Sequence, residues 1–284
     1  MIEWLVNPLS YAFMQRGLLA AILVGIVCAV IGCYVVLRGM AFMGDALSHS
    51  ILPGVAIAYL LNGNLLVGAL VAAVIVALLI GFFSRRGGMK EDTAIGILFA
   101  AALSLGVALI SSIRTYAMDL SHILFGNILG VSASDLLMIG ILAVIVLGTV
   151  IVLYRPFLVV SFDPVLAQTL RLNSNFYRNL ILVLLSVTIV ISLQTVGIGL
   201  VSAMLVTPGA TAYLLTKRLP SMMIVSAALG IISSVVGLYL SYYLNIASGA
   251  AIVLVATAIF LLTFFFAPQR GWVWRTFANH PIAH

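Results

Sequence analysis

LLVGALVAAVIVALLIGFFSRR, residues 65–86, decides the fold. From 65 to 83 it carries no charge and hardly a polar atom, and then two arginines close it. A helix rises 1.5 Å per residue, so about 20 apolar residues cross the hydrocarbon core of a bilayer. Working outward, comparable runs lie at 18–37, 41–61, 94–113, 135–154, 180–197, 199–216, 221–243 and 249–267. The sixth and seventh of the resulting nine are nearly continuous, parted only by Gly197 and Gly199. Eight crossings with one broken helix is the alternative reading. Composition agrees: 64% of the 284 residues are apolar and 7% are charged, against about 25% charged in soluble domains. Mean hydropathy is +1.30. No soluble exterior can be built from this chain. Backbone polar groups in lipid must be paired within a segment, which makes the runs helices. The expectation is an all-α polytopic membrane protein, one transmembrane domain over 1–284.

Lysine and arginine set the orientation, because cytoplasmic loops retain them. If the second span runs outward, Arg38, Arg85, Arg86, Lys90, Arg155, Arg171, Arg178, Lys217, Arg218, Arg270 and Arg275 all fall inside. Only Arg16 and Arg114 fall outside. The N-terminus is therefore expected outside and the C-terminus inside. The formal net charge of +6 reads as a topology signal; nucleic acid would need a clustered soluble patch. The first span serves as the insertion signal, since no short apolar core follows a charged start. Cys28 and Cys33, inside an apolar run, read as small core residues.

Charge inside a span is the informative rarity. Asp45 is the one charged residue well inside a predicted run. Intramembrane carboxylates are costly and commonly mark ion or substrate paths. His49 follows four residues later, on the same helical face. Pro53 follows another four on and has no N–H, which leaves the His49 carbonyl without its helical donor. Carboxylate, imidazole and carbonyl suit a borderline divalent metal such as Mn²⁺, Zn²⁺ or Fe²⁺. One helix cannot complete a coordination shell, so water or a second subunit must contribute. A structural Asp–His hydrogen bond and a short proton relay are the competing readings.

Three non-spanning segments are long enough to carry a role. In the inner loop 155–179, Asp163 can cap a short helix whose first turn holds Pro164. Val165, Leu166, Leu170 and Leu172 would give it an apolar face, for lipid or for a cytoplasmic partner. Asp92 or Thr93 is expected to cap the fourth span, and Asp135 to start the fifth. Asp119 and His122 in the outer loop 114–134 form a weak docking or metal-handling pair beside a solvated-face reading. Trp272 and Trp274 in the tail suit headgroup anchoring. Gly25/Ala29 and Ala69/Ala73 suit helix packing. No GxxxxGK[ST] loop is present, so ATP chemistry would belong to another chain, and no HExxH suggests an intramembrane protease.

The stretch 38–49, RGMAFMGDALSH, with Leu52, Pro53 and Gly54, resembles the signature of the ABC transporter permeases for manganese, zinc and iron. So do EDTAIGI at 91–97, DLSHILFGNIL at 119–129, QTVG at 194–197 and TPGATAY at 207–213. The similarity runs over about residues 10–266. It implies a bacterial plasma-membrane permease subunit without enzyme activity of its own, working as a homodimer. It implies a cytoplasmic ABC ATPase as partner and an extracytoplasmic metal-binding protein docking near 114–134. No permanent cofactor is implied; the metal is cargo, and the wording around Asp45 and His49 looks most like the manganese and iron members. The resemblance puts metal contact on Asp45 and His49, and ATPase coupling on the segment with Asp163, Pro164, Val165, Leu166 and Leu170. Arg171 stands where many relatives have glycine. A stand-alone secondary transporter or channel using Asp45 and His49 is the alternative.

Overall fold

The computed structural model describes residues 7–86, 88–112, 128–162 and 164–267. A 3-10 turn at Pro8–Ser10 leads into α1 (Ala12–Leu37), α2 (Met43–Ser50), α3 (Leu52–Leu60), α4 (Leu65–Arg86) and α5 (Glu91–Ser111). A second such turn, Ile128–Gly130, precedes α6 (Ala133–Val152), α7 (Tyr154–Phe162) and α8 (Pro164–Thr169). Then come α9 (Ser174–Val196), α10 (Ile198–Leu215), α11 (Leu219–Leu244) and α12 (Ser248–Phe266). Every regular element among the described residues is helical, as expected.

Seven of these helices, α1, α4, α5, α6, α9, α11 and α12, are long and apolar enough to cross a membrane. The other two predicted runs are built differently. Residues 41–61 form the two short helices α2 and α3, which meet at Ile51. The run 180–216 divides at Gly197, where φ is 82° and ψ 164°. That left-handed backbone suits glycine, which has no Cβ to clash. Asp135 starts α6 through a capping box with Ser132. The fourth span differs from expectation: Lys90 is the N-cap of α5, without a side-chain cap bond. Glu91 and Asp92 fall in the first turn, where carboxylates favour the positive end of the helix dipole.

The bundle is organised around α1, which packs on α6, α9, α10 and α11. Most of its apolar residues are buried, including Ala20, Cys28, Cys33, Tyr34 and Val35. The two cysteines are core residues, as expected. Cys28 Sγ lies 3.4 Å from Ser192 Oγ, and the Cys33 thiol donates to the Ala29 carbonyl.

Lipid tails are as apolar as leucine, so helices here associate through close backbone approach and polar contacts. The sequence supplies both. Ala21, Gly25 and Ala29 form a four-residue stripe on α1, and Ser226, Gly230 and Ser234 answer it on α11. The Ser226 and Ser234 hydroxyls donate to the Ala29 and Ala21 carbonyls, each at 3.0 Å. A Cβ on Gly230 would come within 2.7 Å of the Gly25 carbonyl oxygen. Opposite, α10 comes so close that a Cβ on Gly32 would fall on the Leu205 carbonyl oxygen. In the same way Gly54 of α3 and Gly68 of α4 face each other backbone to backbone.

These approaches generate a contrast between two glycines. Alanine at Gly32 would meet backbone, which cannot rotate away, so Gly32→Ala should cost about 1–3 kcal/mol, as overpacked cores do. A Cβ on Gly148 of α6 would have nothing within 4 Å of it. There alanine should be neutral or stabilise by up to about 1 kcal/mol through helix propensity. Thermal unfolding of the purified variants in detergent measures both; equal melting temperatures would mean that the α1–α10 approach is not tight.

Candidate functional site

The helix carrying the predicted pair is short because of its own sequence. Pro53 sits in the first turn of α3, where a missing N–H costs nothing. It therefore ends α2 at Ser50 and restarts the helix at Leu52. Ser48 and Ser50 donate to the carbonyls of Gly44 and Ala46 within α2, which keeps its backbone satisfied.

Asp45 and His49 do share one face of α2. His49 Nε2 lies 3.8 Å from Asp45 Oδ1. That is too long for a hydrogen bond, which disfavours the simple bracing pair. A cation bound at about 2.0–2.2 Å from one nitrogen and one oxygen spans such a gap. Side-chain exposure is 43% for Asp45 and 31% for His49, so this face of the single chain is uncovered. Among the described residues no group of three or more histidine, cysteine, aspartate or glutamate side chains gathers in one place.

Two neighbours carry no signal in the sequence. Ser202 of α10 lies within 3.5 Å of Asp45 Oδ1, its hydroxyl donating. It is there because Gly44 lets α2 approach α10, with Leu205 and the Ser202 Cα nearest to it. Phe99 of α5 packs its ring against His49 at 6.0 Å, and against Phe42 at the same distance. A serine and a phenylalanine in apolar helices look like any others until the helices are assembled.

The inner loop forms α7 and α8. Pro164 opens α8, as expected; Asp163 lies outside the described residues. Ala167 is fully buried, whereas Val165 is 73% exposed and Leu166, Leu170 and Phe162 are also exposed. Of the predicted apolar face, Val165 and Leu166 lie exposed on α8, while Leu170 and the half-buried Leu172 follow its end. Arg171 closes the segment with φ of 53°. Its N–H reaches the Gln168 carbonyl and the Leu172 N–H reaches Ala167, each at 2.9 Å. This is a Schellman end, whose left-handed residue is most often glycine. Arginine adopts it here, so the departure from the glycine of many relatives leaves the helix end intact.

A third arrangement joins segments far apart in sequence. Glu91 Oε1 accepts from Arg38 Nη2 at 3.4 Å and pairs more closely with Arg178. Arg178 also donates to Ser84 Oγ at 2.9 Å. Burial pulls the Arg38 guanidinium down to about 10, so it stays charged at neutral pH. From the sequence Arg38, Arg178 and Glu91 read only as topology and capping residues, because nothing local shows which loops meet. Asp119, His122 and Asn127, with Trp272 and Trp274, lie outside the described residues.

Fold and site together define a polytopic helical membrane protein with an aspartate–histidine pair on a broken helix. The model of the ABC 3 transport family matches residues 10–267. The manganese transport system membrane protein MntC of Halalkalibacterium halodurans is 53% identical over 263 residues, 93% of this chain and 90% of that protein. A protein of Haemophilus influenzae described as a probable iron transport system membrane protein is 39% identical over 270 residues, 95% and 99% of the two chains. The solved structure of PsaBC from Streptococcus pneumoniae in complex with Fab superposes with a TM-score of 0.86 at 40% identity, covering 98% of this chain and all of that one. The chain belongs to the ABC 3 transport family. It is a multi-pass plasma-membrane permease subunit of a bacterial ABC importer, and hydrolysis of ATP belongs to a separate partner.

Proposed function

We propose that this permease imports manganese, and that Asp45 and His49 touch the metal as it crosses. The observation that carries the reading is the pair itself: a carboxylate and an imidazole, partly exposed on one face of a short helix within a membrane-spanning bundle. A charge at that depth is costly unless it is paired or lines a water-filled path. A second copy facing the first would cover both groups and supply two further donors, giving the shell that one chain lacks. Manganese is supported by the name of the relative at 53% identity. Ligand chemistry alone would not choose it, since zinc and iron bind such N/O sets as well or better. The relatives described as iron transporters make iron the second cargo to test. A stand-alone transporter or channel is disfavoured by membership of an ABC family.

Energy enters from the cytoplasm through α7 and α8, and an extracytoplasmic binding protein delivers the metal near 114–134. The uncovered face of Val165, Leu166 and Leu170 suits an ATPase groove, by the helix-in-groove mode. The orientation, N-terminus outside, rests on the basic residues. Arg38, Arg178, the end of α4 and the start of α5 meet at one end of the bundle, which puts these basic segments on one side of the membrane.

Three measurements test this reading. Asp45→Ala and His49→Ala should abolish manganese uptake while inserting and assembling normally; uptake at wild-type rate in both would remove the pair from the path. Leu166→Asp buries an unpaired charge in the groove at a cost of several kcal/mol. At about 1.4 kcal/mol per tenfold, ATPase association should weaken by orders of magnitude. Co-purification at wild-type yield would instead seat α8 on lipid. Finally, an impermeant thiol reagent applied from outside should label cysteines placed at 114–134 and spare those at 155–178, and the opposite pattern would invert the orientation.

A further inference from the structure

We propose that Glu91 is the positioning residue through which movement of the docking segment reaches the metal-bearing helix. The inference rests on the docking role proposed for α7 and α8.

The basis is a two-layer junction where α1, α4, α5, α7 and α9 meet. In the ionic layer one carboxylate, Glu91, serves two guanidiniums, Arg38 and Arg178. Ser84 ties the end of α4 into it through Arg178. In the aromatic layer the fully buried Phe157 of α7 stands edge-on to Tyr34 at 5.8 Å and to Tyr177 at 6.2 Å. The layers share their helices: Tyr34 lies one turn before Arg38, and Tyr177 is the neighbour of Arg178. Phe157 thus plugs the docking segment into the same helix ends that Glu91 clamps.

The connections on either side give the clamp its direction. Arg178 lies in the first turns of α9, which follows α8 directly. Arg38 is the C-cap of α1 and opens the turn that leads into α2 and Asp45. All three charged side chains are mostly buried, with exposures of 10% for Arg38, 24% for Glu91 and 23% for Arg178, so salt screens them weakly. Two cations on one anion leave a positive charge over. Arg38 Nη1 is buried with no hydrogen-bond partner among the described residues. The longer of the two ion pairs is the one to Arg38. A shift of the α9 base therefore forces a discrete choice: Glu91 carries Arg38 with it, or releases it. Two such arrangements of a packed network are what coupling between distant sites requires.

The experiment reconstitutes the full importer, with permease, ATPase and binding protein, in proteoliposomes and measures manganese moved per ATP hydrolysed. Measured on complexes purified as full assemblies, so that free ATPase is removed, this ratio does not depend on the amount of protein recovered. Glu91→Gln should lower it about fivefold, within the range of coupling-path substitutions, while the ATPase still co-purifies and still hydrolyses ATP. Glu91→Asp, which keeps the charge and shortens the reach, should fall between. A wild-type ratio in both variants, with only yield or melting temperature reduced, would make Glu91 a static brace and overturn the proposal. If Glu91→Gln does not assemble, Glu91→Asp decides: a lowered ratio supports the proposal and a wild-type ratio overturns it. Failure of the docking reading is seen separately, as a Leu166→Asp complex that keeps its ATPase.

Discussion

The Leu205 carbonyl occupies the space where any other residue at position 32 would place its Cβ. That single backbone contact fixes how near α10 lies to α1, and much of the site depends on it. One turn further along α10, a Cβ on Gly209 would meet the Gly32 backbone again at 3.2 Å, so the approach continues past Pro208. With α10 held there, the Leu205 side chain reaches Gly44 and Ser202 stands beside Asp45. In water an apolar core would hold such helices through the hydrophobic effect. Within lipid that drive is absent, and contact distance carries the energy instead. A methyl group at position 32 would thus act on Asp45 through one intervening helix, α10.

The second device is the interruption of the helix that bears the pair. A continuous helix through 41–61 would run straight across the bundle. With the break at Ile51, α2 packs on α5 and α10, while α3 lies between α4 and α5. Gly106 of α5 receives Leu52 and Pro53 at the break itself. Gly54 and Gly68 then clamp α3 to α4 by backbone contact. The break is thus packed on both sides, which suits a site that must keep its geometry while the surrounding bundle shifts.

Much of this is legible in the sequence, and the reasons differ by element. The spanning helices follow from uninterrupted apolar runs, which only lipid can accommodate. The Asp45–His49 face follows from a four-residue spacing; the break at Ile51 does not, because 41–61 reads as one apolar run and Pro53 marks only a missing N–H. The capping box at Ser132 and Asp135 is likewise a local pattern. The cap of α5 is misread from sequence because Lys90 offers no capping oxygen, leaving Asp92 and Thr93 as the residues that look competent. Ser202, Phe99 and the Glu91 clamp are not legible at all. Each is a contact between segments separated by dozens of residues, and a single sequence holds no record of which helices become neighbours.

The uncovered surfaces separate structural from functional demands. Most exposed apolar side chains, such as Val144 and Ile151 on α6, face lipid, where exposure costs nothing. Two regions do not fit that account. Asp45 and His49 expose polar atoms where lipid would penalise them, and α8 exposes Val165 and Leu166 beyond the ends of the spanning helices. The first calls for a polar cover within the membrane, and the second for an apolar cover at its edge. They are joined by the turn at Arg38, the only chain connection between α1 and α2, and by the carboxylate that grips it. The residues to which transport is assigned in the proposed reading are those whose surroundings suit neither lipid nor water, and the proposed clamp lies between them.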